Sequence, residues 1–222
     1  MSPEAAPRLR YLALGDSYTI GEGVREAGRW PVQLAARLRR HGLPFAAPRI
    51  VATTGWTTDE LAAGIDAAHA ADPLVPPYDL VSLLIGVNNQ YRERPLDAYA
   101  EEFAALLERA LAFAGGRSAR VLALSIPDWG ATPFGHASGR DLARVARELD
   151  AFNAAAGAAC RARGVAFVDV TAASRAEPDA VVEDGLHPSA AQYGVWADLA
   201  LPAVLEAFAQ APRAPAEVAG RD

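Results

Sequence analysis

The feature that most constrains this chain is an alternation. Short apolar runs that read as buried strands are separated by longer segments with helical periodicity. The pattern predicts strands at Arg10–Leu14, Arg49–Ala52, Leu80–Ile85, Val121–Ile126 and Val165–Val170. Between and after them it predicts helices at Pro31–His41, Thr58–His69, Leu96–Ala114, Arg140–Arg163 and Ala190–Gln210. In the fourth helix Leu142, Val145, Leu149 and Phe152 recur at spacings of three and four, which makes one buried stripe. Thr57 is the expected N-cap of the second helix, and Pro31 suits the first turn of the first. Strand–helix alternation of this kind requires a mainly parallel sheet with helices on both faces, joined by right-handed crossovers. No repeat or linker divides the chain. A single domain over residues 9–210 is expected, with residues 1–8 and 211–222 as flexible ends.

Composition narrows the chemistry. A formal charge of −6 argues against nucleic acid as the main partner, because that role needs a basic face. All 21 basic residues are arginine, so lysine Schiff-base chemistry and a phosphate-binding Walker lysine are excluded. Cys160 is the only cysteine; it falls in an Ala-rich helical stretch and reads as a small buried hydrophobe. The first eight residues have no apolar core, so neither a signal peptide nor a membrane span is read there, and a cytoplasmic protein without membrane contact is expected. No His-Glu-x-x-His, Cys-x-x-Cys or carboxylate cluster points to a metal, and no cofactor is expected.

Candidate functional residues fall just after strands, on the sheet edge where ligands bind in parallel α/β proteins. Ser17 follows the first strand in Gly15-Asp16-Ser17-Tyr18. Gly55 precedes a helix after the second, and Asn88 stands in Gly86-Val87-Asn88-Asn89 after the third. Near the far end, Asp184-Gly185-Leu186-His187-Pro188 supplies a carboxylate and an imidazole three residues apart. Taken singly, each block also reads as an ordinary turn or helix entry. Asp16 reads as structural, bonding nearby backbone or Asn88. His41, His69 and His136 have no partners in sequence and read as surface residues.

Together the four blocks resemble the SGNH hydrolases, a branch of the GDSL esterases and lipases named for Ser, Gly, Asn and His. Here those residues are Ser17, Gly55, Asn88 and His187, in the family's order. The resemblance implies a flavodoxin-like three-layer α/β/α fold around a central five-stranded, mainly parallel sheet. It also implies an oxyanion hole made by the amides of Ser17 and Gly55 with the carboxamide of Asn88. Two residues depart from the pattern: Tyr18 stands where leucine is common, and Asn89 where the third block usually ends in Asp.

The residues support the same chemistry on their own terms. A serine hydroxyl needs a base within hydrogen-bond reach. His187 can be that base, and Asp184 can hold its imidazole in the working tautomer. The expected activity is hydrolysis of small carboxylic esters through an acyl-enzyme on Ser17, with a small-molecule ester as partner. An acyltransferase, a thioesterase or a lysophospholipase using the same residues is an alternative, as is a catalytically silent α/β binding module. Tyr18, Trp56, Tyr91, Trp129 and Phe134 fall in or beside the site loops and are candidate pocket walls.

Overall fold

A computed structural model of the chain describes residues 8–210. The expected flexible ends lie outside the described residues, apart from Arg8, which is exposed. One sheet is formed by β1 (Tyr11–Gly15), β2 (Arg49–Ala52), β3 (Leu80–Leu84), β4 (Val121–Leu124) and β5 (Ala166–Val168). Its order is β2-β1-β3-β4-β5. Every pairing is parallel, so the expected mainly parallel sheet is an all-parallel one.

The long helices are α2 (Trp30–Arg40), α3 (Thr58–Ala71), α5 (Leu96–Phe113), α7 (Leu142–Ala162) and α9 (Ala190–Ala209). They match the five expected from periodicity to within two residues at each end. Four short helices lie among them: α1 (Ser17–Ile20), α4 (Val87–Tyr91), α6 (Pro133–Ala137) and α8 (Thr171–Ala176). Helix α2 packs on α9, while α3 packs on α5 and α5 on α7. The two groups cover opposite faces of the sheet.

Burial follows from this layering. Every residue of β1 and β3 is buried, because central strands in such a sheet are covered on both sides. The buried stripe of α7 runs Val145, Leu149, Phe152, Ala156 and Cys160. Leu142, expected to begin it, is half-buried in the first turn. Phe152 stacks on Tyr99 of α5 with ring centroids 4.5 Å apart. Cys160 is fully buried, and burial pushes its thiol up to about 12, so it behaves as a core residue. Among the described residues, no helix is long and apolar enough to cross a membrane.

Strand β3 ends one residue earlier than expected, and two strands end two residues earlier, for identifiable reasons. The Ile126 backbone both accepts from and donates to the Asn153 side chain, at 3.0 and 2.7 Å. A residue so engaged cannot continue the ladder, and β4 stops at Leu124. Likewise the Val170 N–H goes to the Ser125 hydroxyl at 2.8 Å, so β5 stops at Val168. The chain runs outward from β1 in one direction to β2 and in the other to β3, so the topological switch point lies between β1 and β3. That crevice, at the carboxyl ends of the strands, is where a doubly wound sheet binds ligands.

Candidate active site

The nucleophile candidate is set by a tight turn. A Cβ at Gly15 would come within 2.4 Å of the Leu84 carbonyl oxygen, so only glycine lets β1 turn off beside β3. Asp16 then caps α1, its Oδ1 accepting from the Tyr18 N–H at 3.0 Å. Ser17 opens that helix and is 5% exposed. Asn88, the other partner expected for Asp16, donates instead to the Trp56 carbonyl. Oδ2 of Asp16 has no partner among the described residues, and the group is fully buried. Burial pushes its carboxyl up to about 7, against the pull of its backbone hydrogen bonds.

The acid–imidazole pair comes from a bracketed loop before α9. The Val182 N–H donates to the His187 carbonyl at 2.8 Å, and the Ser189 N–H to the Ala180 carbonyl at 2.9 Å. Inside this bracket Oδ1 of Asp184 accepts the N–H groups of Leu186 and His187 at 2.8 and 2.9 Å. Oδ2 meets Nδ1 of His187 at 2.6 Å. Partial burial works to raise the Asp184 carboxyl, but the hydrogen bonds from the His187 ring and the two backbone N–H groups outweigh it and hold it below the ordinary value. The carboxylate is therefore ionised at neutral pH. The imidazole packs against Tyr18, with centroids 5.8 Å apart, and Tyr18 packs in turn on Trp196.

Ser17, Gly55, Asn88 and His187 line one cavity of about 220 Å³. Among the described residues the Ser17 hydroxyl is not hydrogen-bonded to the imidazole; such contacts often tighten only when substrate is bound. The Ser17 and Gly55 N–H groups have no hydrogen-bond acceptor among the described residues. Gly55 has φ +88°, a left-handed conformation that glycine adopts without strain. The Asn88 carboxamide donates one N–H to the Trp56 carbonyl at 2.9 Å, which leaves its second N–H for another acceptor. Asn89 is fully buried and turned away from the cavity chemistry. Its Oδ1 accepts the Thr58 N–H at 3.1 Å at the start of α3, and its amide donates to the Thr58 hydroxyl at 2.6 Å.

Four of the five aromatic candidates line the cavity: Tyr18, Tyr91, Trp129 and Phe134. Trp56 does not. Its indole lies over Gly64 of α3, where a Cβ would come within 2.1 Å of the ring, so it belongs to the packing behind Gly55. Trp129 is 1% exposed, and its indole N–H donates to the Gln90 carboxamide oxygen at 2.8 Å. The Gln90 amide nitrogen donates in turn to Glu148 of α7, also at 2.8 Å. His41, His69 and His136 are exposed and away from the cavity. Sequence reading missed Thr54, Val87 and Leu186 as lining residues. It also missed Arg92, which donates to the Gly55 carbonyl at 2.7 Å. The one signal for Arg92 was its position four residues after Asn88, on the same side of a helix. Among the described residues no cluster of three or more His, Cys, Asp or Glu could hold a metal ion.

The crystal structure of TesA superposes with a TM-score of 0.69 at 22% identity, over 89% of this chain and 99% of that one. The psychrotrophic esterase EstA from Pseudoalteromonas sp. gives 0.67 at 14% identity, over 90% and 99%. Axe2, an acetylxylan esterase from Geobacillus stearothermophilus, gives 0.65 at 20% identity, over 88% and 94%. At these identities the likeness speaks to the fold. A search of curated proteins finds no significant match. The profile described as GDSL-like Lipase/Acylhydrolase family matches residues 13–195, more than half of the sequence, and the chain belongs to that family of hydrolases.

Proposed function

We propose that this hydrolase cleaves small carboxylic esters through an acyl-enzyme on Ser17. In the first half-reaction Nε2 of His187 takes the Ser17 hydroxyl proton as Oγ bonds to the ester carbonyl carbon. The negative charge that develops on the carbonyl oxygen is met by the N–H groups of Ser17 and Gly55 and the free amide N–H of Asn88. The tetrahedral species collapses when the C–O bond to the alcohol breaks, and His187 returns its proton to the leaving oxygen. In the second half-reaction His187 removes a proton from water as the water oxygen bonds to the acyl carbon; the bond from that carbon to Oγ then breaks, His187 returns the proton to Ser17, and the acid leaves. Asp184 keeps a proton on Nδ1 throughout and stabilises the imidazolium.

The observation that carries this reading is the 2.6 Å contact between Asp184 and Nδ1 of a His187 that faces the cavity lined by Ser17. It leaves Nε2 as the basic nitrogen. The substrate class rests on size. A cavity of about 220 Å³ falls below the range of drug-sized ligand sites, which is roughly 300–1,000 Å³. Trp129 and Phe134 line it together, with ring centroids 6.1 Å apart. Ser17→Ala should abolish p-nitrophenyl acetate hydrolysis and stoichiometric labelling by a fluorophosphonate, while the melting temperature stays near that of the parent. An active or labelled Ser17→Ala protein overturns the reading.

A further inference from the structure

The Gly55 carbonyl and the one after it are held by α4 and the residue that follows it, while the preceding Thr54 donates its hydroxyl to Glu22. Asn88 donates to the Trp56 carbonyl at 2.9 Å, and Arg92 donates through Nη2 to the Gly55 carbonyl at 2.7 Å. The two side chains are four residues apart, one on α4 and the other at its C-cap, and they grip consecutive carbonyls of the opposing turn. A third contact closes the ring. Nη1 of Arg92 reaches both Glu60 oxygens at 3.2 and 3.3 Å, and Oε2 of Glu60 accepts the Thr57 N–H at 2.9 Å.

From this geometry we infer that Arg92 is a positioning residue for the oxyanion donors, fixing the Gly55 N–H in register with the Asn88 carboxamide. The inference rests on the acyl-enzyme reading above and deepens it. Gly55 is the weakest point of the donor set, because glycine has the widest backbone freedom of any residue. Left to itself, the turn can swing its N–H away from the site. Arg92 cannot touch the carbonyl oxygen of a substrate through the two nitrogens already engaged; its work is to restrict that swing. A planar guanidinium is suited to this, since it spans two acceptors at once, the Gly55 carbonyl and the Glu60 carboxylate. The same contacts contribute little to global stability. The Arg92–Glu60 pair is 43% and 40% exposed, and exposed pairs are worth little to folding. Catalysis and stability should therefore separate at this position.

The test compares Arg92→Ala and Arg92→Lys with Ser17→Ala, using p-nitrophenyl acetate hydrolysis, thermal melting and added guanidinium ion at concentrations that leave the parent unchanged. Arg92→Ala should lower kcat by about 10- to 100-fold, the scale of a displacement near 1 Å, with KM within about threefold. Guanidinium should restore several-fold of the lost rate in that variant alone. Arg92→Lys should fall between the two, because an ammonium point charge cannot bridge both acceptors. The melting temperature of Arg92→Ala should stay within about 2 °C of the parent. A kcat within threefold of the parent overturns the inference. So does a rate loss accompanied by a large drop in melting temperature and no guanidinium rescue, which marks a merely structural role. An inactive Ser17→Ala beside a fully active Arg92→Ala sinks this inference alone, whereas an active Ser17→Ala sinks the parent reading and this one with it.

Discussion

Asp184→Asn puts the orientation of the imidazole at risk through one atom. In the native loop Oδ1 accepts two backbone N–H groups at 2.8 and 2.9 Å, while Oδ2 faces Nδ1 of His187 at 2.6 Å. Asparagine has one acceptor oxygen and one donor nitrogen. The two backbone N–H groups require the oxygen; rotating the amide the other way sets donors against donors and forfeits two hydrogen bonds of about 1 kcal/mol each. The amide nitrogen is therefore driven into the Oδ2 position. There it donates to Nδ1, which becomes an acceptor, and the imidazole proton moves to Nε2. An imidazole already protonated on Nε2 cannot take the Ser17 proton. The expected loss is about 10⁴-fold in kcat, or about 5.4 kcal/mol at ~1.36 kcal/mol for each tenfold change in rate. Steady-state hydrolysis of p-nitrophenyl acetate gives the rate, and ¹⁵N NMR of the His187 ring gives the tautomer. A variant within tenfold of the parent refutes the reasoning. So does a slow variant whose neutral imidazole still carries its proton on Nδ1.

Asn88→Ala should lower kcat by about 10²–10³ with a smaller effect on KM, the range for one lost oxyanion donor; a rise in KM alone would make Asn88 a ground-state binding residue. Across p-nitrophenyl esters kcat/KM should peak between acetyl and hexanoyl, because a cavity of about 220 Å³ walled by Trp129 and Phe134 buries only a short acyl chain. A maximum at decanoyl, measured below the micelle concentration, contradicts that. Asp16 gives a pH signature. Burial pushes it up to about 7, so the folded chain keeps this proton over a window in which the unfolded chain has released it. The associated stability is complete below about pH 4, where the unfolded carboxyl protonates, and is lost as pH rises towards 7. Asp16→Asn keeps the acceptor for the Tyr18 N–H and should gain on the parent between pH 4 and pH 8, by up to about 4 kcal/mol in urea unfolding. An advantage that does not change with pH refutes the assignment.

Periodicity read the scaffold well because the scaffold is periodic. Long helices such as α7 carry their buried stripe over several turns, so Val145, Leu149 and Phe152 declare themselves. The elements that hold the site are too short for that. Helices α1 and α4 have four and five residues, less than two turns, and no stripe can be counted in them. Their content was legible instead as residue types after strands, which is how Ser17 and Asn88 were found. Adjacency in sequence misled at Trp56. It follows Gly55, yet its backbone carbonyl serves the site while its ring packs on Gly64. Strand ends were misjudged at Ile126 and Val170, where side chains from α7 and from Ser125 capture backbone groups. Such a capture depends on residues tens of positions away and leaves no local trace.

The hydrogen bond between the Trp129 indole and Gln90 bears on how the substrate range of such an enzyme can change over time. Widening the cavity calls first for a smaller residue at 129. That step alone strands the Gln90 carboxamide oxygen in a buried place, at about 1–3 kcal/mol. Replacing Gln90 first strands the indole N–H and also frees Glu148, which is paired with Arg144 on the surface of α7. Either order passes through a weakened intermediate. Selection for bulkier substrates should accordingly find both positions together or neither, and directed libraries that vary 90 and 129 jointly should yield broadened variants that single-site saturation at 129 does not.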